Sequence, residues 1–196
     1  MITYISRKKY LDTLTKVQEE NIEVIKPGTR SISELLNLDK VKIIGIDTET
    51  TGLDPLEDKL LLITLGNETN QVVINARDEK NDIYHEEISR ICLNPSILKI
   101  IHNIKFDYKF LKYNGIITDI KRVVDTYLME SFLTNGLYRL GENTRLDAMI
   151  KKYLGIDMDK TERKSFEGLK NNINKDQLIY AAKDVIYLPE LYKRVA

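Results

Sequence analysis

The chain has 196 residues, of which 30 are Lys or Arg and 30 are Asp or Glu, so its formal net charge is zero. This length fits one domain, in which we expect residues 1–40 to form an N-terminal strand-and-helix extension and residues 41–193 to form the core. A chain with balanced charge is poorly suited to wrapping a long polyanion, although local positive charge is enough to hold a few nucleotides.

The cysteine content and the N-terminus are typical of a soluble, cytoplasmic protein. Cys92 is the single cysteine, so no internal disulfide can form, and the apolar pattern around it predicts a buried thiol. The first ten residues lack the apolar segment of a secretion signal, and no stretch approaches the roughly 20 apolar residues of a membrane span. We therefore predict an intracellular protein that does not bind membranes.

Strands dominate the first half of the predicted core. The run VKIIGID (41–47) precedes KLLLITLG (59–66) and QVVINA (71–76), and the polar NETN between the last two is a hairpin signal. Three consecutive strands are therefore predicted, after an irregular polar segment at 20–30. Further along, IYHEEISRICL has helical periodicity, and ILKIIH (97–102) is predicted to be a short buried strand.

Helices dominate the second half. KFDYKFLKYNG is predicted to be a helix closed by Gly115, and TRLDAMIKKYLG a helix ending at Gly155. Between them, VVDTYLMESFL (123–133) is predicted to be a helix, with Asp125 or Thr126 placed to cap it.

The last helix is predicted to begin at Asn174, with Gln177 completing a capping box, and to bend at Pro189. The polar stretches 134–143 and 157–172 are predicted to be irregular. Strands first, then alternation of strand and helix, and finally a helical tail indicate a mixed α/β domain.

Two acidic residues, Asp47 and Glu49, follow the first of these core strands. Residues i and i+2 of a strand share a face, so both carboxylates point the same way and Thr48 points opposite. Ligand sites of open α/β sheets lie at the carboxyl ends of strands, where this pair is expected. Taken alone, the stretch DTETTGLDP fits a solvated polar turn better than a site.

Two further pairs strengthen the case for a site. Asn103 and Asp107 are four residues apart at a helix start, and Tyr180 and Asp184 are four apart on the last helix, so each pair shares a helical face. Asp107 alone could be a solvated charge, and Tyr180 alone a core aromatic. Asp184 lies in an apolar stretch, however, where a carboxylate needs a partner.

Four carboxylates from separate elements can share one site only if cations lie between them, because clustered like charges otherwise force protonation. Oxygen ligands of this kind suit Mg²⁺ or Mn²⁺. Two such ions promote attack on a phosphodiester, one by lowering the pKa of water and the other by stabilising the leaving 3′-oxygen. The acidic residues therefore predict a phosphodiester hydrolase with two divalent ions per site.

The order Asp-x-Glu, Asn-x-x-x-Asp and Tyr-x-x-x-Asp resembles the three exonuclease motifs of the DEDD superfamily. It matches the tyrosine variant (DEDDy), since neither His85 nor His102 lies five residues before Asp184, as the histidine variant requires. The nearest likeness is to the 3′→5′ proofreading domain of family A DNA polymerases, over residues 41–191. This resemblance implies a ribonuclease H-like fold, with a mixed β-sheet flanked by α-helices.

The resemblance also implies a role for each motif residue. Asp47, Glu49 and Asp184 would bind one ion. Asp47 would bridge to the second ion, and Asp107 would hold that ion directly or through water. Tyr180 would orient the attacking water, and Asn103 would position the terminal nucleotide or brace Asp107.

Further residues are implied to bind the single-stranded 3′ end. Leu53 stands where the family wedges an apolar side chain against the terminal base, although a turn leucine packed on the core is the alternative. Phe166, in the segment SFEG, would pack against the next base, or else belong to ordinary loop packing. Thr50 is a further candidate for substrate contact. Phosphate contacts are expected from one or more of three arginines, Arg139, Arg145 and Arg163.

The resemblance predicts a metal-dependent 3′→5′ exonuclease that releases nucleoside 5′-monophosphates from DNA, in proofreading. One alternative is an exoribonuclease of the ribonuclease D type, and another is a non-catalytic docking module, which would usually have lost metal ligands. No polymerase fingers, palm or thumb follow within these 196 residues. The chain is therefore expected to be either the exonuclease part of a polymerase, with that polymerase as partner, or a small free exonuclease.

Overall fold

The computed structural model describes residues 1–7, 21–134 and 144–196. Within these ranges lie seven strands: β1 (Ile2–Ile5), β2 (Ile22–Ile25), β3 (Ile43–Thr50), β4 (Leu60–Gly66), β5 (Gln71–Asn75), β6 (Leu98–Ile101) and β7 (Val123–Asp125). They form one sheet in the order β2-β1-β5-β4-β3-β6-β7. β4 pairs antiparallel with both of its neighbours, and all other pairs among these strands are parallel. The predicted hairpin of β4 and β5 and the predicted mixed sheet are confirmed.

Seven α-helices lie in the same described ranges: α1 (Ile32–Leu35), α2 (His85–Leu93), α3 (Ile104–Tyr113), α4 (Thr126–Leu133), α5 (Leu146–Leu154), α6 (Lys175–Ile186) and α7 (Leu188–Val195). Two 3-10 turns, Glu79–Tyr84 and Thr161–Phe166, precede α2 and α6. None of the helices in this part of the chain is both long and apolar enough to cross a bilayer.

The two faces of β3 belong to different parts of the core. Ile44 and Ile46 are buried in the cluster that includes residues of α2 and α3. The alternate position, Gly45, instead faces α6 and α7, because a Cβ atom added there would lie 2.8 Å from the carbonyl oxygen of Val185 and 3.1 Å from the side chain of Leu188. Side chains of a strand alternate between faces, so Asp47 and Glu49 continue the face covered by α6.

Two segments are strands in the structure, although one is predicted to be irregular and the other to be helical. Residues 22–25, predicted to be irregular, form the edge strand β2, in which Ile25 is buried and Glu23 faces solvent. Such an edge strand needs few apolar residues, which is why its pattern is weak. Residues 123–125, predicted to be helical, pair with β6 as β7, as their β-branched valines favour. Asp125 is the N-cap of the helix that follows, as predicted.

The ends of several helices are confirmed. Gly115 and Gly155 close α3 and α5 with positive φ values of 69° and 71°, which favour glycine. Asn174 and Gln177 form the predicted capping box of α6. At Pro189 the helix breaks instead of bending, since α6 ends and α7 begins with proline in its first turn, where no backbone donor is needed. The helix expected near the N-terminus falls on residues 8–20, outside the described ranges.

Two glycines allow α6 to approach the sheet closely. Gly45 and Gly66 are directly paired across β3 and β4. A Cβ atom added to Gly45 would lie 2.8 Å from the carbonyl oxygen of Val185, and one added to Gly66 would lie 2.7 Å from a methyl carbon of the same residue. The absence of side chains at both positions thus sets the distance between α6 and β3.

Gly66→Ala should lower the free energy of unfolding by about 1–3 kcal/mol, because the added methyl group overpacks the contact with Val185. Val185→Ala removes that contact, so the double variant should lose about 1 kcal/mol less than the sum of the single losses. Chemical denaturation measures all three variants. Gly45→Ala is the control, because its added methyl group meets the main-chain carbonyl of Val185, so Val185→Ala should not rescue it. Strictly additive losses for Gly66→Ala and Val185→Ala would contradict this packing.

Candidate active site

Three carboxylates converge between β3 and α6. Asp47, Glu49 and Asp184 each offer one carboxylate oxygen, and these oxygens all lie within 4.8 Å of one another. Asp47 and Glu49 share a face because β3 continues through Thr50, which excludes the solvated-turn interpretation of this stretch. Hard oxygen ligands at such separations suit a divalent cation of the magnesium type.

Asp107 lies beside this group but is held differently. It is in the first turn of α3, is buried, and accepts hydrogen bonds on Oδ1 from the backbone N–H of Thr48 (2.9 Å) and from its hydroxyl (2.7 Å). Thr48 therefore points away from its acidic neighbours, as predicted, and anchors the fourth acid from the opposite face of β3. The charge of Asp107 still raises the pKa of Asp47.

Burial raises the pKa values of all four acids, and repulsion from the neighbouring acids adds to the effect at Asp47 and Glu49. Burial is the largest cause for each; repulsion by Asp107 comes next for Asp47, and repulsion by Asp184 comes next for Glu49. Burial raises the pKa of Asp107 to about 7 in spite of its hydrogen bonds from Thr48. A cation relieves such repulsion, so the donor set fits a divalent ion electrostatically as well as chemically.

Tyr180 lies one helical turn before Asp184 and is 7% exposed. Burial and then the charge of Asp184 raise the pKa of its phenol above the ordinary value. The hydroxyl therefore stays protonated at neutral pH and can donate a hydrogen bond, but it cannot serve as a base. This matches the orienting role that the resemblance implies for Tyr180.

Lys160 is a site residue that the sequence did not single out. Its Nζ donates to Asp184 Oδ1 at 3.1 Å, lies 3.5 Å from the Tyr180 hydroxyl, and stands 5.2 Å from the centre of the Tyr180 ring. It belongs to the stretch 157–172, which has no helical or strand periodicity, so no signal distinguishes it from the other lysines. Arg163, which was predicted from the same stretch, is exposed and lowers the pKa of Glu49 and Asp184.

Thr50 is the last residue of β3, and Leu53 lies on the turn that follows it. The Leu53 side chain is 80% exposed, so the alternative of a leucine packed on the core is wrong. The Thr50 hydroxyl donates to the Gly52 carbonyl at 2.6 Å. Asp58 braces the turn, since its Oδ2 accepts from the Asp54 N–H at 3.0 Å. The turn therefore presents an apolar side chain to solvent from a firmly bonded loop.

Asn103 is exposed and begins α3 in the left-handed conformation, with φ of 61°. Its backbone N–H donates to Asp125 Oδ1 at 2.9 Å. No hydrogen bond joins its side chain to Asp107 in the part of the chain that the structure describes. Its bracing role is therefore not supported by this arrangement, whereas its exposure leaves the side chain accessible to a nucleotide.

Three substrate candidates remain, namely Phe166, Arg145 and Arg139. Phe166 is 1% exposed and packs in the core with its ring centre 6.0 Å from that of Tyr180, so it offers no face to a base in this conformation; the packing alternative describes it. Arg145 is half-exposed and pairs with Asp147 at 2.9 Å. Arg139 lies outside the described residues.

Comparison with known proteins agrees with this arrangement. Residues 26–196 match the 3′-5′ exonuclease family. DNA polymerase I of Aquifex aeolicus is 33% identical over 159 residues, covering 81% of this chain and 24% of that protein. Ribonuclease D of a Shewanella species is 28% identical over 103 residues, covering 53% of this chain and 25% of that protein. The chain thus spans about a quarter of the length of these relatives.

The solved structure of Brucella melitensis NrnC with bound Mg²⁺ has the same fold, with a TM-score of 0.60 at 21% identity over 99% of this chain and 79% of NrnC. The sheet order and flanking helices confirm the predicted ribonuclease H-like fold. The family match covers most of the chain and includes all three predicted motifs. The chain therefore belongs to the 3′-5′ exonuclease family.

Proposed function

We propose that the chain is a catalytic domain of the tyrosine variant of this family, which removes nucleotides one at a time from single-stranded 3′ ends. The observation that carries this proposal is the convergence of Asp47, Glu49 and Asp184, with Tyr180 one turn away. A docking module that had lost its chemistry would have no reason to retain this cluster of partly or fully buried acids.

Each residue has a distinct task in the proposed reaction. Asp47, Glu49 and Asp184 would bind one ion, and Asp47 and Asp107 would hold a second. Two bound Mg²⁺ or Mn²⁺ ions would supply activation of water and stabilisation of charge on the leaving 3′-oxygen. Tyr180 keeps its proton and donates a hydrogen bond that orients the attacking water.

DNA is the proposed substrate and proofreading the proposed purpose. DNA polymerase I of Aquifex aeolicus is 33% identical over 81% of the chain, whereas ribonuclease D of Bartonella henselae is 23% identical over the same share. A DNA polymerase domain or subunit is the proposed partner, and the cytoplasm the proposed compartment. Leu53, exposed on its turn, would pack against the terminal base. Such apolar contact tolerates any base, as proofreading requires.

We expect faster release of mononucleotides from a single-stranded DNA oligomer than from an RNA oligomer of the same sequence, by about tenfold or more in kcat/KM. The measurement uses 5′-labelled oligomers in Mg²⁺, so that products shorten from the 3′ end in single steps. The same oligomers with a 3′-phosphate are the control, which tests whether cleavage begins at the 3′ end. A preference for RNA would instead support the ribonuclease D alternative, which the similarity to two ribonuclease D proteins favours.

A further inference from the structure

Lys160 contributes a positive charge to the edge of the carboxylate group. It caps the 3-10 turn Thr161–Phe166, and its side chain is 17% exposed. Among the described residues, it is the one cation whose side chain bonds a carboxylate of the three-acid group. Its charge also lowers the pKa of Asp47 and Glu49, so its field reaches all three acids.

We propose that Lys160 is a positioning residue that serves as an exchangeable counter-cation: it pairs with Asp184 until a divalent ion binds there, and then turns to a phosphate of the substrate. This inference rests on the proposed function. The ammonium group of Lys160 and a metal ion would both interact with Asp184 Oδ1, and their positive charges repel one another. The two therefore compete for the acid.

The anchoring of Lys160 suits such an exchange. Its main chain caps a turn, whereas its ammonium is carried by four methylene groups that can swing by several ångströms. The Tyr180 ring, 5.2 Å from Nζ, keeps the charge near the site after the bond to Asp184 is lost. Lysine binds phosphate as a point charge, without a fixed geometry. The same side chain can therefore serve a carboxylate and then a phosphate.

Neighbouring cations do not share this arrangement. Arg163 is exposed, and its influence on the acids is through charge alone. Lys164 is exposed, and within the described part of the chain its side chain makes no ion pair with the four acids and no hydrogen bond with Tyr180. Lys164 thus provides a matched control, since the same substitution there changes net charge equally on the same turn.

Lys160→Met should change metal binding and catalysis in opposite directions. Mn²⁺, titrated into the protein without nucleic acid and followed by calorimetry, should bind roughly threefold to tenfold more tightly, because a competing charge is removed. The increase in melting temperature at a given Mn²⁺ concentration should grow accordingly. With saturating metal, kcat/KM for a DNA oligomer should fall by about tenfold or more, because a phosphate contact is lost.

Two comparisons make the experiment decisive. Lys164→Met should leave both quantities within about twofold of the unsubstituted protein, and Lys160→Arg, which keeps the charge, should leave Mn²⁺ affinity near its original value. If Lys160→Met folds poorly, Lys160→Gln is measured in its place. A purely structural lysine would lower metal affinity and activity together when removed.

Unchanged or weaker Mn²⁺ binding in Lys160→Met would overturn the counter-cation role. Tighter binding with unchanged kcat/KM would overturn the phosphate contact. The Mn²⁺ titration contains no substrate, so it distinguishes the two proposals: failure of the unsubstituted protein to release nucleotides overturns the proposed function, whatever the titration shows.

Discussion

Asp47→Asn should reduce release of mononucleotides by roughly a thousandfold at saturating Mg²⁺. Asp47 belongs to the three-acid group and is the proposed ligand of both ions, so no other single residue touches as much of the chemistry. Asparagine keeps the shape of the side chain but replaces one anionic oxygen by an amide. Single-turnover assays on a 5′-labelled DNA oligomer measure the loss.

Asp39→Asn is the matched control for this variant, because Asp39 is exposed and precedes β3, whereas Asp47 lies toward the carboxyl end of that strand. It should retain full activity. The circular dichroism spectra of both variants should match that of the unsubstituted protein, since the fold does not depend on Asp47. Activity above about a tenth of the original in Asp47→Asn, or activity that resists a chelator, would refute the assignment of the site.

Asp107→Asn should stabilise the protein by roughly 2–4 kcal/mol at pH 8 in the presence of a chelator. The pKa of Asp107 is raised from its usual 3.8 to about 7 by burial, and each unit corresponds to about 1.4 kcal/mol. The asparagine oxygen can still accept the two hydrogen bonds from Thr48. The variant therefore removes the buried charge while its packing and hydrogen bonding are retained.

The pH dependence follows from the direction of this shift. Between about pH 4 and pH 7 the folded protein binds more protons than the unfolded chain, so its stability falls as the pH rises through that window. The advantage of Asp107→Asn should therefore shrink as the pH is lowered from 8 toward 4. Urea denaturation with chelator at several pH values measures it, with Asp39→Asn again as the control.

Saturating Mg²⁺ should reverse the order of stability, because an ion that binds only the folded protein stabilises it. The unsubstituted protein should then gain more stability from Mg²⁺ than Asp107→Asn does. Equal pH profiles for the two proteins in chelator would mean that Asp107 carries no unfavourable charge, and would contradict the effect of burial on its pKa.

The motif residues could be predicted from the sequence because each lies on a regular element. The alternation of β3 places Asp47 beside Glu49, and the turn of α6 places Tyr180 beside Asp184. Strand and helix periodicities are local properties, readable from neighbouring residues alone. Family resemblance then supplied the chemistry of the pattern.

The remainder of the site could not be predicted because it depends on long-range packing. Lys160 reaches Asp184 from an irregular segment 24 residues away. Phe166 resembles a base-contacting aromatic in sequence, yet its neighbours in space bury it against Tyr180. The sequence pattern does not identify the strand β2 for a similar reason, since this strand depends on pairing with β1 more than on its own composition.

The close packing of α6 on Gly45 and Gly66 has a consequence for how the domain responds to heating. The helix that carries Tyr180 and Asp184 also buries Ala181, Ala182 and Val185 completely. Local opening there would expose the centre of the molecule, so amide protons of α6 should exchange with solvent only through global unfolding. The domain should therefore keep its working geometry up to its melting transition, and inactivation and melting should coincide in temperature.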